Sequence, residues 1–201
     1  MDSFLTQLAA TSFMEGIAVA FAVAYVWLAA RQNIWCWPCA LVSTGIYTWL
    51  FWSVSLPFHT ILNFYYLIMA IYGLIKWRDK NSDSLFVQSW AISKHLIYIA
   101  GLAIGALILS HFSSTVLDAN YLHLDAFITV FSVFTTVLVA HKVRENWLYW
   151  IVINLFAGYL YFSKDLTLTG VLFLCYAGFA IYGFIQWRIE PSNVEDQKET
   201  I

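Results

Sequence analysis

The chain holds 201 residues, 61% of them hydrophobic, 19% aromatic and only 11% charged, with a formal net charge of −2. Soluble domains carry about 25% charged residues, so this composition excludes a soluble globule, and the lack of any basic surplus excludes nucleic acid as a partner. At a mean hydropathy of +0.71, with about 20 apolar residues per crossing, the chain is expected to be an all-α membrane protein: one membrane domain, 1–201, with no room for a separate soluble domain.

Seven apolar runs are bounded by charge or turn residues: Glu15 to Ala30, Ile34 to Val54, Phe58 to Trp77, Lys94 to Phe112, Tyr121 to Ala140, Trp147 to Phe162, and Leu168 to Trp187. The N-terminus lacks the basic stretch of a cleavable signal, so these runs are read as the mature protein. Segment 1 contains Gly16-Ile-Ala-Val-Ala-Phe-Ala-Val-Ala-Tyr25, apolar on every face as a lipid-embedded helix is. Segment 2 opens on Trp35-Cys36-Trp37-Pro38-Cys39, which has the outline of a thioredoxin-type active site. A redox role for Cys36 and Cys39 lacks a βαβ context, and the three cysteines are too few for a disulfide scaffold.

Segment 3 offers Asn63, Tyr65 and Tyr66, and segment 7 offers Tyr176, as candidate pocket residues beside an ordinary packing role. Segments 1 and 5 each carry an acid in the first turn, Glu15 and Asp125. Such acids complement the helix dipole, and a carboxylate on a cation's path also marks function. In segment 6, Trp147, Trp150 and Asn154 are spaced i, i+3, i+7 on one helical face. A carboxamide in hydrocarbon needs hydrogen-bond partners, and indole faces beside it favour an aromatic cation. The competing reading places the tryptophans in the interfacial belt and bonds Asn154 to a neighbouring helix. The histidines show no ligand-spaced cluster and no metal or other cofactor is expected; no hydrolase, protease or P-loop motif suggests an enzyme.

If the segments alternate, nine of the ten basic residues share one side and Lys164 alone lies on the other. The positive-inside rule then puts the N-terminus outside and the C-terminus in the cytoplasm. A shift of 110 residues lays Trp37 on Trp147, Tyr66 on Tyr176, Glu15 on Asp125, and Ala70-Ile-Tyr-Gly73 with Trp77-Arg78 on Ala180-Ile-Tyr-Gly183 with Trp187-Arg188. Between Trp37 and Arg78 it gives 14 identities in 42 positions without a gap. Two three-helix repeats, 11–78 and 121–188, are therefore expected around a linking helix at 94–112. An odd linker makes the repeats parallel, a 3+1+3 pseudo-symmetric arrangement with substrate held between the halves.

The run Glu145-Asn-Trp147-Leu-Tyr-Trp150-Ile-Val-Ile-Asn154 resembles segment 6 of the PnuC family of vitamin transporters, and Ile71-Tyr-Gly73 before Trp77 and Asp125 in segment 5 extend the resemblance over about 15–188. It implies a fold pseudo-symmetric like the SWEET sugar transporters, a homotrimer in the bacterial inner membrane, and facilitated diffusion by alternating access of a cationic heteroaromatic vitamin that a cytoplasmic kinase then traps. Trp147, Trp150 and Asn154 would bind it, with Asp125, Tyr176, Asn63 and Tyr66 completing the pocket. Two branches fit. Asn154 favours nicotinamide riboside. Leu124 in place of a tryptophan, the Asn63-Phe-Tyr-Tyr66 run and the compact loop after segment 3 favour thiamine, which is the expected substrate. The rival classes are a thiol redox membrane protein and a passive membrane scaffold.

Overall fold

The computed structural model describes residues 13–53, 57–79, 86–114 and 121–198, and the helices among them are α1 (Phe13–Ala30), α2 (Cys36–Ser53), α3 (Pro57–Arg78), α4 (Ile92–Ser114), α5 (Leu122–Ala140), α6 (Asn146–Ser163) and α7 (Thr167–Lys198). Five of them, α1, α3, α4, α5 and α7, are long and apolar enough to cross a membrane. The remaining two, α2 and α6, have 18 residues each and bury polar residues of their own, Ser43 on α2 and Asn146 and Asn154 on α6. The last helix runs beyond the expected end at Trp187, through Pro191 to Lys198. Lys80 and the tail beyond Lys198 lie outside the described residues.

The helices pack as a ring in the order α1, α2, α3, α5, α6, α7 and back to α1, with α4 laid against α5. Lipid is as apolar as leucine, so close backbone approach through small residues replaces hydrophobic burial as the packing force. The pattern is accordingly inverted from that of a soluble protein. Ala18, Ala29, Ala30, Ala140, Ala157 and Ala180 are buried, while Ile97 on α4 is 73% exposed and Leu107 65% exposed.

The core lies at the end of the ring where Arg31, Lys142, Arg144 and Arg188 gather, here called the basic end. There α1 and α5 finish in the same way. Gln32 and Lys142, which the 110-residue shift superposes, both take left-handed backbone angles, φ 51° and 50°. The Asn33 and Gln32 amides donate to Leu28 and Ala29 at 2.9 and 3.0 Å; those of Val143 and Lys142 donate to Leu138 and Val139 at the same two distances. Each is a Schellman cap, which satisfies two of the last helical carbonyls and leaves that of Ala30 or Ala140 over.

Tryptophans take up those carbonyls crosswise. The Trp77 indole N–H of α3 donates to Ala140 O of α5 at 3.1 Å, and that of Trp187 on α7 donates to Ala29 O and Ala30 O of α1, both at 3.1 Å. Each of these rings meets a partner edge-on: Trp37 against Trp77 at 5.4 Å and 89°, Trp147 against Trp187 at 5.4 Å and 90°. The duplicated sequence thus folds into duplicated geometry. Trp77 and Trp187 meet in the middle at 6.3 Å.

Glycine makes this possible. A Cβ built on Gly183 would stand 2.6 Å from the Trp147 ring, and one on Gly73 would be closer still to Trp37. Overpacking of this kind costs about 1–3 kcal/mol. Gly183→Ala is therefore expected to lower the thermal midpoint in detergent, whereas Gly178→Ala on the same helix, with nothing within 4 Å, stays within about 0.5 kcal/mol of the parent.

Among the described residues, the segment before α4 is strapped to the start of α6 in the second repeat. Gln88 accepts from the Arg144 amide at 2.8 Å and donates to Lys142 O at 2.9 Å. Glu145 then accepts from Ser89 Oγ at 2.6 Å, the Trp90 amide at 3.2 Å and Arg144 Nη2 at 3.1 Å, with His95 Nε2 at 3.6 Å; His95 Nδ1 in turn pairs with the Tyr149 hydroxyl at 3.0 Å. In the first repeat the position of Glu145 is held by Trp35. Burial pushes the Glu145 carboxyl up, but the bonds from Ser89, its own amide and the Trp90 amide, with the charge of Arg144, outweigh burial and hold it below its ordinary value of 4.5. A depressed carboxylate stabilises above its unfolded value, and that contribution is lost as pH falls through the lower folded value. The thermal midpoint is therefore expected to drop below about pH 4.5, and less steeply in Glu145→Gln, as midpoints recorded across pH 3–7 would show.

Candidate functional site

Helix α6 carries one inward stripe. Trp147, Trp150, Asn154, Ala157 and Tyr161 fall on a single face over about 21 Å of rise, and all five are buried or half-buried, whereas Leu148, Val152, Leu155, Tyr159 and Phe162 on the other faces are exposed. The stripe begins in the tryptophan cluster. Trp147 is 3% exposed, seated on Gly183 and edge-on to Trp187. One turn on, Trp150 is half-buried and packs against both hydrophobic cores of the protein, the tryptophan cluster and the α5–α6 group around Phe131 and Ile153. It points into the ring, not into lipid.

Asn154 is 5% exposed, and no hydrogen bond ties its carboxamide to another described residue; unlike Asn146 Oδ1, its polar atoms are not among those sealed away without a partner. The repeat-related Thr44 on α2 is satisfied, its hydroxyl donating to Ala40 O at 2.7 Å. Asn154 is therefore a carboxamide inside the bundle whose hydrogen-bonding capacity the described helices leave unused.

Further along the stripe a set of tyrosines joins all six ring helices. Tyr66 on α3 pairs with Ser132 on α5 and lies within electrostatic reach of Tyr161 on α6; Tyr25 on α1 interacts with Tyr66. Tyr47 on α2 interacts with Tyr161 and with Glu15 of α1, and Tyr176 on α7 interacts with Tyr47. Asp125 of α5 interacts with Tyr161. Tyr65, edge-on to Tyr66 at 5.7 Å, donates its hydroxyl to Val133 O at 2.8 Å. Both acids are exposed at the starts of their helices, at the end opposite the basic one. The interior therefore runs from a tryptophan floor, through Trp150 and Asn154, to a tyrosine wall under two carboxylates.

The structure thus brings Tyr66, Tyr176 and Asp125 within electrostatic reach of Tyr161 or Tyr47, with Glu15 beside Tyr47, and buries Asn154 one turn from Trp150. Trp147 belongs to the packed floor beneath. Asn63 is half-buried one turn before Tyr66 on α3. Tyr25, Tyr47, Tyr161 and Ser132 are additions to the sequence reading. The signal for Tyr161 was present, since it continues the i, i+3, i+7 stripe by two turns; the other three depend on how the ring closes. Cys36 is fully buried and Cys39 half-buried, both as free thiols, so the pair of segment 2 sits in the wall of the tryptophan cluster, away from a redox partner.

Comparison with known proteins places this arrangement. The family model described as nicotinamide mononucleotide transporter matches residues 12–189. The chain belongs to that family, and it is a membrane transporter, not an enzyme. A curated family relative, the nicotinamide riboside transporter PnuC of Neisseria mucosa, is 22% identical over 197 residues, a match covering 88% of this chain and 72% of the relative. Among solved structures, the crystal structure of the vitamin B3 transporter PnuC superposes with a TM-score of 0.69 at 21% identity, over 88% of this chain and 81% of that one.

Proposed function

We propose that this transporter carries nicotinamide riboside, a flat pyridinium cation with an uncharged sugar, through the centre of the helix ring by facilitated diffusion. The observation that carries the reading is Asn154: a buried residue whose carboxamide is not tied to a neighbouring helix, one turn from a half-buried indole, matches a ligand that is itself a carboxamide on a cationic ring. Trp150 offers its π-face to the positive charge, an interaction of about 2 kcal/mol when desolvated. Trp147 supports it from below. Tyr66, Tyr176 and Asn63 line the path of the sugar, and Asp125 draws the cation toward the entrance.

Electrostatics separate the nucleoside from its nucleotide. The ends of the tyrosine wall carry Glu15 and Asp125, and none of the ten basic residues falls on the α6 stripe, so a phosphate finds no counter-charge there. The thiamine expectation gives way to the alternative. The named relatives handle nicotinamide riboside or vitamin B3, and Leu124, on which the thiamine reading leaned, is half-buried in the first turn of α5, outside the network around Tyr161. We place the protein in a bacterial inner membrane with the basic end cytoplasmic, as a homotrimer whose product is trapped by a kinase.

Titration calorimetry of the purified protein against nicotinamide riboside, its mononucleotide and thiamine tests the substrate. Saturable binding of nicotinamide riboside at least tenfold tighter than either competitor is expected. Tighter binding of thiamine would return the assignment to the other branch.

A further inference from the structure

Each repeat closes the other. The Schellman caps of α1 and α5 leave the carbonyls of Ala30 and Ala140 without a helical partner, and both residues are 0% exposed, so water does not serve them. Their partners come across the interface between repeats: Trp187 of the second repeat reaches α1, and Trp77 of the first reaches α5. The neighbouring indoles of Trp37 and Trp147 are equally buried, yet their N–H groups have no acceptor. Of the four rings, then, two only pack and two bind the halves together. The Lys142 ammonium sits 4.7 Å over the Trp77 ring and adds a second link between halves.

We infer that Trp77 and Trp187 form a reciprocal latch that holds the basic end of the transport path shut, and that breaking their crosswise bonds, the single one of Trp77 and the forked one of Trp187, is the step that opens it. The inference rests on the transport reading above. Packed interfaces have discrete arrangements, and the bonds lie between repeats, where a rocking motion separates surfaces. They are positioning residues, because the tryptophan floor stands between them and Trp150. The pseudo-symmetry gives the device its balance: one hydroxyl-free donor and one leftover carbonyl on each side, so both bonds break in a single motion.

A native reporter lies at the seam. Cys36 of the first repeat is 0% exposed and interacts electrostatically with Lys142 of the second, so parting the halves uncovers it. The test is the rate of maleimide labelling of Cys36 in the full-length protein carrying Cys39→Ser and Cys175→Ser. Trp187→Phe and Trp77→Phe keep a packed ring and delete only the donor side of the indole. Each is expected to speed labelling at least fivefold, and the double variant more than either. Unchanged labelling in the double variant with native helical dichroism would overturn the latch; should the double variant not fold, Trp187→Phe alone decides on the same criterion. Adding nicotinamide riboside separates this from the substrate assignment. Faster labelling in the Phe variants with no response to that ligand would keep the latch and remove the substrate, whereas a ligand response without any effect of the Phe variants would do the reverse.

Discussion

Asn154→Leu is expected to weaken nicotinamide riboside binding by about 10- to 100-fold and to leave the thermal midpoint unchanged or higher. The two directions follow from one fact. In the unliganded protein Asn154 makes no hydrogen bond that ties its helix to another described residue, so an apolar side chain of similar shape removes no contact that holds the fold. With ligand bound, the same change leaves the ligand's own carboxamide without its partner in a dry site, at a cost of about 1–3 kcal/mol. A residue serving only the fold would lose stability and function together. Calorimetry paired with thermal unfolding of the same preparation separates the cases, and a fall in midpoint of several degrees would mark Asn154 as a structural residue.

Trp150→Ala is expected to remove at least about 30-fold in affinity, from a cation–π contact of about 2 kcal/mol, and to reduce uptake to background. Its stability cost should be the smaller of two tryptophan losses on α6. Trp150 is half-buried, while Trp147 is packed on Gly183 and Trp187; truncating a fully buried tryptophan costs about 3–5 kcal/mol. Trp147→Ala therefore loses transport by losing folded protein, and Trp150→Ala loses it in protein still present in the membrane. Quantifying folded transporter by size-exclusion chromatography beside uptake distinguishes them. Equal losses of folded protein would place Trp150 in the floor as well.

Much of this architecture is written in the chain because membrane helices must satisfy their backbones internally, which makes each apolar run a helix, and because the duplication repeats contacts as well as residues. The shift pairs Gly73 with Gly183, and the structure shows what approaches them: Trp37 and Trp147. The α6 stripe was legible from its period. Contacts between repeats were not. That Trp77 reaches Ala140, 63 residues away, depends on α3 lying beside α5 in the ring, and no local pattern encodes that order. Tyr25, Tyr47 and Tyr161 come from three helices and converge only when the ring closes. The strap of Gln88 on Val143 was invisible for another reason: it is a single pairing between two loops, too short for periodicity to reveal.

The asymmetry between the repeats bears on function. Where the second repeat has Trp150 and Asn154, the first has Ala40 and Thr44; where the first has Tyr47, the second has Ala157. Trp150 and Tyr47 are the bulky members of these two pairs, so each repeat supplies a large aromatic where the other has alanine. The duplicated scaffold supplies the latch at one end, while the substitutions between copies shape a site for a ligand that has no two-fold symmetry of its own.

The central claim is that the ring conducts nicotinamide riboside without an energy source. Counterflow in proteoliposomes tests it directly: vesicles loaded with unlabelled nicotinamide riboside, diluted into a trace of labelled compound with no ion gradient imposed. The account predicts transient, saturable accumulation of label that Trp150→Ala abolishes. No accumulation by folded wild-type protein, or accumulation that persists unchanged in Trp150→Ala, would contradict it.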